Sequence, residues 1–154
     1  MIGISQTYVD PSVPRKWTPT GSPRNGARKI RGDKHGGLIR LGLIGETIGL
    51  SEGWENCLAW HQLGRGSEDV SLAAAIDLGN LSGRATGSVD HPSIRDANGS
   101  VLKIPNGEPD LTKPGVILPE GVKTVIIVAD NDSEPLALHG RYRTAVNQIG
   151  RAHV

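Results

Sequence analysis

Little in this chain is aromatic or sulfur-bearing. It has no phenylalanine, two tyrosines, three tryptophans, one methionine and one cysteine. A single cysteine excludes an intrachain disulfide framework and any Cys-rich zinc site built by this chain alone. No apolar run approaches the roughly 18 residues of a membrane span, and the first residues lack the apolar core of a signal peptide. Apolar residues make up only 36% of the 154, whereas glycine and proline number 21 and 10. That balance predicts one domain with a modest core and long loops, short of low-complexity disorder. A soluble protein of a reducing compartment is the simplest placement.

The net charge of +1 conceals an asymmetry. Residues 1–40 carry eight basic groups against Asp10 and Asp33, a balance of +6, and the remainder carries nine basic against fourteen acidic, a balance of −5. A basic flank beside an acidic body suits a protein that attracts polyanions and also holds cations. The alternative is a solvated basic arm without a partner. Arg24, Arg28, Lys29, Arg31 and Lys34 are the candidates for tracking phosphates. Trp17 is either a base-stacking residue or, more simply, a loop anchor.

Along the chain, Gly3–Val9 and Leu38–Leu41 read as short strands, and prolines 11, 14, 19 and 23 mark a loop between them. Thr47–Leu50 reads as a strand ending at Ser51-Glu52-Gly53. A helix follows with Trp54, Cys57, Leu58 and His61 on one face. Val70–Ile76 is a buried segment, with strand favoured over helix because Asp77-Leu-Gly-Asn80 follows so soon. Residues 84–119 form a polar excursion holding at most one hairpin. Thr124–Ala129 is a continuous, mostly β-branched run, which predicts a parallel strand buried on both faces. Ser133 is then placed to cap a helix over about 136–148, with Pro135 where its missing N–H costs nothing.

This order predicts an α/β fold, a mostly parallel, Rossmann-like sheet flanked by helices. Ligands gather at the carboxyl ends of such strands. Glu52 ends one strand, and Asp130 and Asp132 follow another. An Asp-x-Asp after a strand is commonly a solvated turn. Three carboxylates in one crevice, however, must hold a proton, spread apart or bind a cation. Magnesium, which takes one or two carboxylates with waters and phosphate oxygens, suits such a crevice. His35, His61, His91 and His139 have no ligand-like spacing, and Cys57 reads as a small core residue.

The run Ile48-Gly-Leu-Ser-Glu52-Gly-Trp-Glu55 resembles the first motif of Toprim domains, and Val125-Ile-Ile-Val-Ala-Asp130-Asn-Asp132 resembles the second. Ala73-Ala-Ala-Ile-Asp-Leu-Gly-Asn80-Leu81 is similar to the middle strand and turn of the branch found in phage and plasmid-type primases. Gln6–Asp10, Ala27–Lys29 and Gly36–Leu41 are similar to the segment preceding it. The resemblance spans about residues 4–148. It implies a basic N-terminal extension (1–43) and a Toprim-like domain (44–148) with an insertion (84–119). It further implies nucleotidyl or phosphoryl transfer on DNA or RNA with nucleotides, as in DNA replication. Glu52 would be the general acid/base or a metal-linked carboxylate, and Asp130 and Asp132 would hold Mg²⁺, with Mn²⁺ as a substitute. Glu55, one turn into the helix, would either support them or face solvent, where the helix dipole favours an acid. Fusion to zinc-binding and helicase modules and a place in the cytoplasm of a bacterial or phage-infected cell are further implications. Where many family members continue with Ala-Gly, this chain has Ser133-Glu134-Pro135. Toprim domains usually continue into another strand, so the resemblance also implies C-terminal truncation. Ile149–Val154 matches what a common sequencing adapter spells in one frame, and is expected to be a non-native tail.

Two other readings stand beside this one. The first is a nucleic-acid-binding module of the same fold whose chemistry is weak or lost. The second is an α/β phosphatase of the haloacid dehalogenase type, which also places Asp-x-Asp after a strand, though on its first strand and with a following Thr.

Overall fold

The computed structural model describes residues 3–13, 26–64, 68–95, 97–130 and 134–152. The chain divides into two compact units, Met1–Lys34 and His35–Val154. The first is an antiparallel ribbon of β1 (Gly3–Thr7) and β2 (Arg28–Gly32), paired from Gly3↔Gly32 to Thr7↔Arg28. A strand at β2 was not expected, because four of its five side chains are charged or absent.

The second unit begins nine residues before the expected boundary at 44. The reason is β3 (Ile39–Arg40), which pairs antiparallel with β5 (Ser71–Ala74) and so joins the larger sheet. That sheet has the order β3-β5-β4-β8, with β4 (Thr47–Ser51) parallel to both β5 and β8 (Thr124–Val128). It is therefore an α/β arrangement with a mixed sheet.

Side chains alternate along β4, so its two faces pack differently. Ile48 and Leu50 point into the main core with Ala73, Ala75, Leu81, Val116, Val122 and Ala145. On the other face lies α1 (Trp54–Gln62). At Gly49 the Trp60 ring approaches so closely that an added Cβ would sit 3.0 Å from it. Cys57 is fully buried on this side, as expected of a small core residue. Burial, opposed by contacts with Ser51 and Ala73, pushes its thiol pKa up. Leu58 and His61 are exposed, so the packed face of α1 is centred on Cys57 and Trp60 rather than on the expected row.

One expectation for β8 fails. The strand lies at the sheet edge, and Ile126 is 37% exposed. A β-branched run reports strand propensity, but it does not report how many neighbours the strand has.

Residues 78–82 form a short helix, α2 (Leu78–Ser82), where a turn was expected. Asp77 caps it, its carboxylate accepting from the Asn80 N–H at 2.8 Å. The 84–119 excursion does contain one hairpin, β6 (Ser88–Arg95) with β7 (Val101–Pro105), and it is fastened along α3 (Pro135–Ala152). Gly140 of α3 sits so near β7 that a Cβ there would lie 2.6 Å from the Pro105 carbonyl oxygen. Asn147 donates to the Gly107 carbonyl at 2.8 Å, and Gln148 accepts from the Gly115 N–H at 2.6 Å. The helix continues through 149–152, with Ile149 packed against the core and Arg151 paired with Glu108 at 3.0 Å.

Candidate functional site

Because β4, β5 and β8 run parallel, their carboxyl ends share one edge. Ser51 pairs in register with both Ala74 and Val128. The chain therefore delivers Glu52, Ile76-Asp77 and Asp130 to that edge within one to three residues of the last paired position. Glu52 and Asp130 are both half-buried. Asp132 lies outside the described residues, as do Arg24 and Trp17.

Asp130 is held from two helices. Its Oδ2 accepts from the Asn56 side-chain amide of α1 at 2.9 Å, and its N–H donates to the Tyr142 hydroxyl of α3 at 2.9 Å. Asn56, one residue beyond the expected Glu55, is thus an α1 side chain bonded to the aspartate. Glu55 is half-buried in the first helical turn, where the helix dipole favours an acid. Behind Glu52, the Ser51 hydroxyl donates to the Gly53 carbonyl at 2.5 Å and lies 2.8 Å from Cys57 Sγ, fixing the strand-to-helix turn.

At the same edge Ile76 has φ of +78°, the left-handed region that β-branched residues avoid. Such a residue costs about 1–3 kcal/mol, and outliers of this kind cluster at functional sites. Asp77 adds a third acid to the edge, but its carboxylate is engaged in capping α2.

Glu134 takes the capping place that Ser133, outside the described residues, was expected to fill. Its Oε2 accepts from Ala137 N–H at 2.6 Å and its Oε1 from Leu136 N–H at 3.1 Å. Oε1 is also 3.1 Å from Nε2 of His91 in β6. The Ala137 N–H, opposed by burial and then aided by the Leu136 N–H and His91, lowers the Glu134 pKa.

Sequence reasoning missed Asn56, Tyr142, Glu134 and the role of His91. Part of the signal for Glu134 was present, since Pro135 marks the first helical position and the helix dipole favours an acid beside it. The other three depend on partners distant in sequence.

Among the described residues, no group of three His, Cys, Asp or Glu side chains is gathered as a metal cage. The donors at the edge are the carboxylates Glu52 and Asp130. That set fits a cation which keeps several waters, as Mg²⁺ does, and does not fit a closed all-protein site.

The candidate phosphate-tracking residues divide. Cross-strand pairing puts Lys29 opposite Gln6 and Arg31 opposite Ile4 on one face of the ribbon, and these four side chains are exposed. The Lys29 ammonium lies 5.7 Å from the centre of the Tyr8 ring. Arg28 pairs with Thr7 on the other face and is half-buried, as is Lys34.

Comparison with protein-family models, curated proteins and solved structures found no match.

Among the described residues, no helix is long and apolar enough to cross a membrane.

Proposed function

We propose that the second unit is the catalytic unit of a primase-like protein of Toprim type, performing Mg²⁺-dependent nucleotidyl or phosphoryl transfer on nucleic acid. The observation that supports it is the in-register parallel pairing of β4 with β8, which ends both strands at one edge, with Glu52 one residue past Ser51 and Asp130 two past Val128. Asp130, with Asp132, would hold the cation, which when bound supplies Lewis-acid stabilisation of charge on a phosphoryl oxygen. Asn56 orients the Asp130 carboxylate and Tyr142 anchors its backbone. Glu52, on the neighbouring strand, would exchange a proton with the attacking or leaving oxygen.

Manganese binding followed by electron paramagnetic resonance tests the reading. The unaltered chain is expected to bind Mn²⁺. Asp130→Asn combined with Asp132→Asn is expected to weaken binding at least about tenfold, since two anionic ligands are lost. Equal affinity in both proteins would remove the basis of the proposal.

The ribbon favours a second reading, a nucleic-acid-binding module with weak chemistry. Its exposed Lys29 and Arg31 are two residues apart on one strand, hence about 6.8 Å, and face the same way. Lys29→Ala with Arg31→Ala is expected to lower the slope of log affinity against log salt by about 1.4 on single-stranded DNA. Arg28→Ala, on the other face, is expected to change it less. Filter binding between low and moderate salt decides this, and an equal effect of Arg28 would contradict the assignment of the face.

A further inference from the structure

The insertion hairpin has a buried histidine that the proposed chemistry does not use. His91 sits where β6 loses its regular register, just after Asp90, and Pro92 follows it. Its Nδ1 accepts from the N–H groups of Ser93 at 3.1 Å and Ile94 at 2.9 Å. In a neutral imidazole the hydrogen is then on Nε2. Nε2 faces Glu134 Oε1 at 3.1 Å, so the ring donates to the carboxylate. The side chain is only 4% exposed, and a hydrogen bond to an ionised acceptor is among the stronger kinds.

This contact ties the hairpin to the first turn of α3, and α3 in turn carries the Tyr142 hydroxyl that accepts from the Asp130 N–H. Glu134 bridges the two elements, since Oε1 serves both His91 and the Leu136 N–H while Oε2 holds the Ala137 N–H. Farther along α3, Pro105 of the hairpin is seated closely on Gly140, a second point of contact between the two elements.

We propose that His91 is a positioning residue for Asp130: through Glu134 it sets where α3 begins, and thereby where Tyr142 holds the aspartate backbone. The insertion then serves as a brace for the acidic edge. What this does for a cation rests on the function proposed above.

The test uses the full chain with His91→Ala, His91→Gln and Glu134→Asp. Glutamine keeps an N–H donor able to reach Glu134. Aspartate keeps a good helix cap but withdraws the carboxylate from the ring. Amide hydrogen exchange at Asp130 is the first readout, referred to Thr144 and Ala145 in the middle of α3, and Mn²⁺ affinity is the second.

His91→Ala and Glu134→Asp are expected to speed exchange at Asp130 about tenfold relative to mid-helix amides, and His91→Gln to restore much of it. Mn²⁺ affinity is expected to follow the same order. Unchanged Asp130 exchange in a folded His91→Ala or Glu134→Asp protein overturns the proposal, as does failure of glutamine to rescue. Should His91→Ala not fold, Glu134→Asp against the unaltered chain decides it. Absence of Mn²⁺ binding in the unaltered chain removes the cation reading instead, and exchange at Asp130 still decides whether His91 fixes it.

Discussion

Asn80→Ala is expected to lose about 3 kcal/mol of stability, because one buried and two part-buried backbone groups lose their partner at once. Asn80 is 5% exposed. Its Oδ1 accepts from the Gly36 N–H at 2.9 Å, and its Nδ2 donates to the carbonyls of Gly37 at 2.9 Å and Ala75 at 2.8 Å. One amide thereby joins the segment before β3, the end of β5 and α2. Asn80→Asp is expected to be no better, since it turns carboxylate oxygens toward two carbonyls. Urea unfolding of the variants measures the loss. A cost below about 1 kcal/mol would mean that water replaces the side chain, so the clamp has no energetic role. Against a total stability of about 5–15 kcal/mol, the expected loss brings the protein near its threshold.

Gly115→Ala is expected to cost about 3 kcal/mol or more, at or above the upper end for overpacking. A Cβ at residue 115 would sit 2.5 Å from the Gly83 nitrogen, 2.6 Å from the Asn80 carbonyl oxygen and 2.8 Å from that of Leu81. All three are backbone atoms, so relief requires moving α2 or the chain that follows it. Gly99→Ala is the control. Its φ of +80° disfavours alanine, whereas Gly115 has no positive φ, and nothing lies within 4 Å of a Cβ at 99, so about 1 kcal/mol is expected from backbone conformation alone. Thermal unfolding distinguishes the two. Similar shifts for both would mean that the crossing of the two chain segments at Gly115 relaxes at little cost.

The strands at the candidate site were legible because each combines a local signal with an abrupt end. Thr47–Ser51 stops at Glu52-Gly53, and the β-branched run from Thr124 stops before Asp130. Their adjacency could be inferred from the order of elements, and the two do pair in parallel. What could not be read depends on distant partners. Edge and centre look alike in Val-Ile-Ile-Val, so the exposure of Ile126 was invisible. Charge disguised β2, whose side chains need only one covered face. Leu78–Ser82 looked like a turn because Asp77 and Gly79 are turn residues, yet Asp77 is a helix cap. His91 meets Glu134 across 43 positions, a separation over which no local pattern carries information.

Thr47 on β4 pairs with Thr124 on β8, and Ala145 closes the core over Ile48 and Leu50. During synthesis at about 5–20 residues per second, that apolar face waits on the order of five to twenty seconds for its cover. The central strand is therefore complete long before it is protected. Until then β4 can pair with β5, which precedes α3 in the chain. In this unit α3 acts as the lock, since Ala145 is the piece that completes the cluster around Ile48 and Leu50.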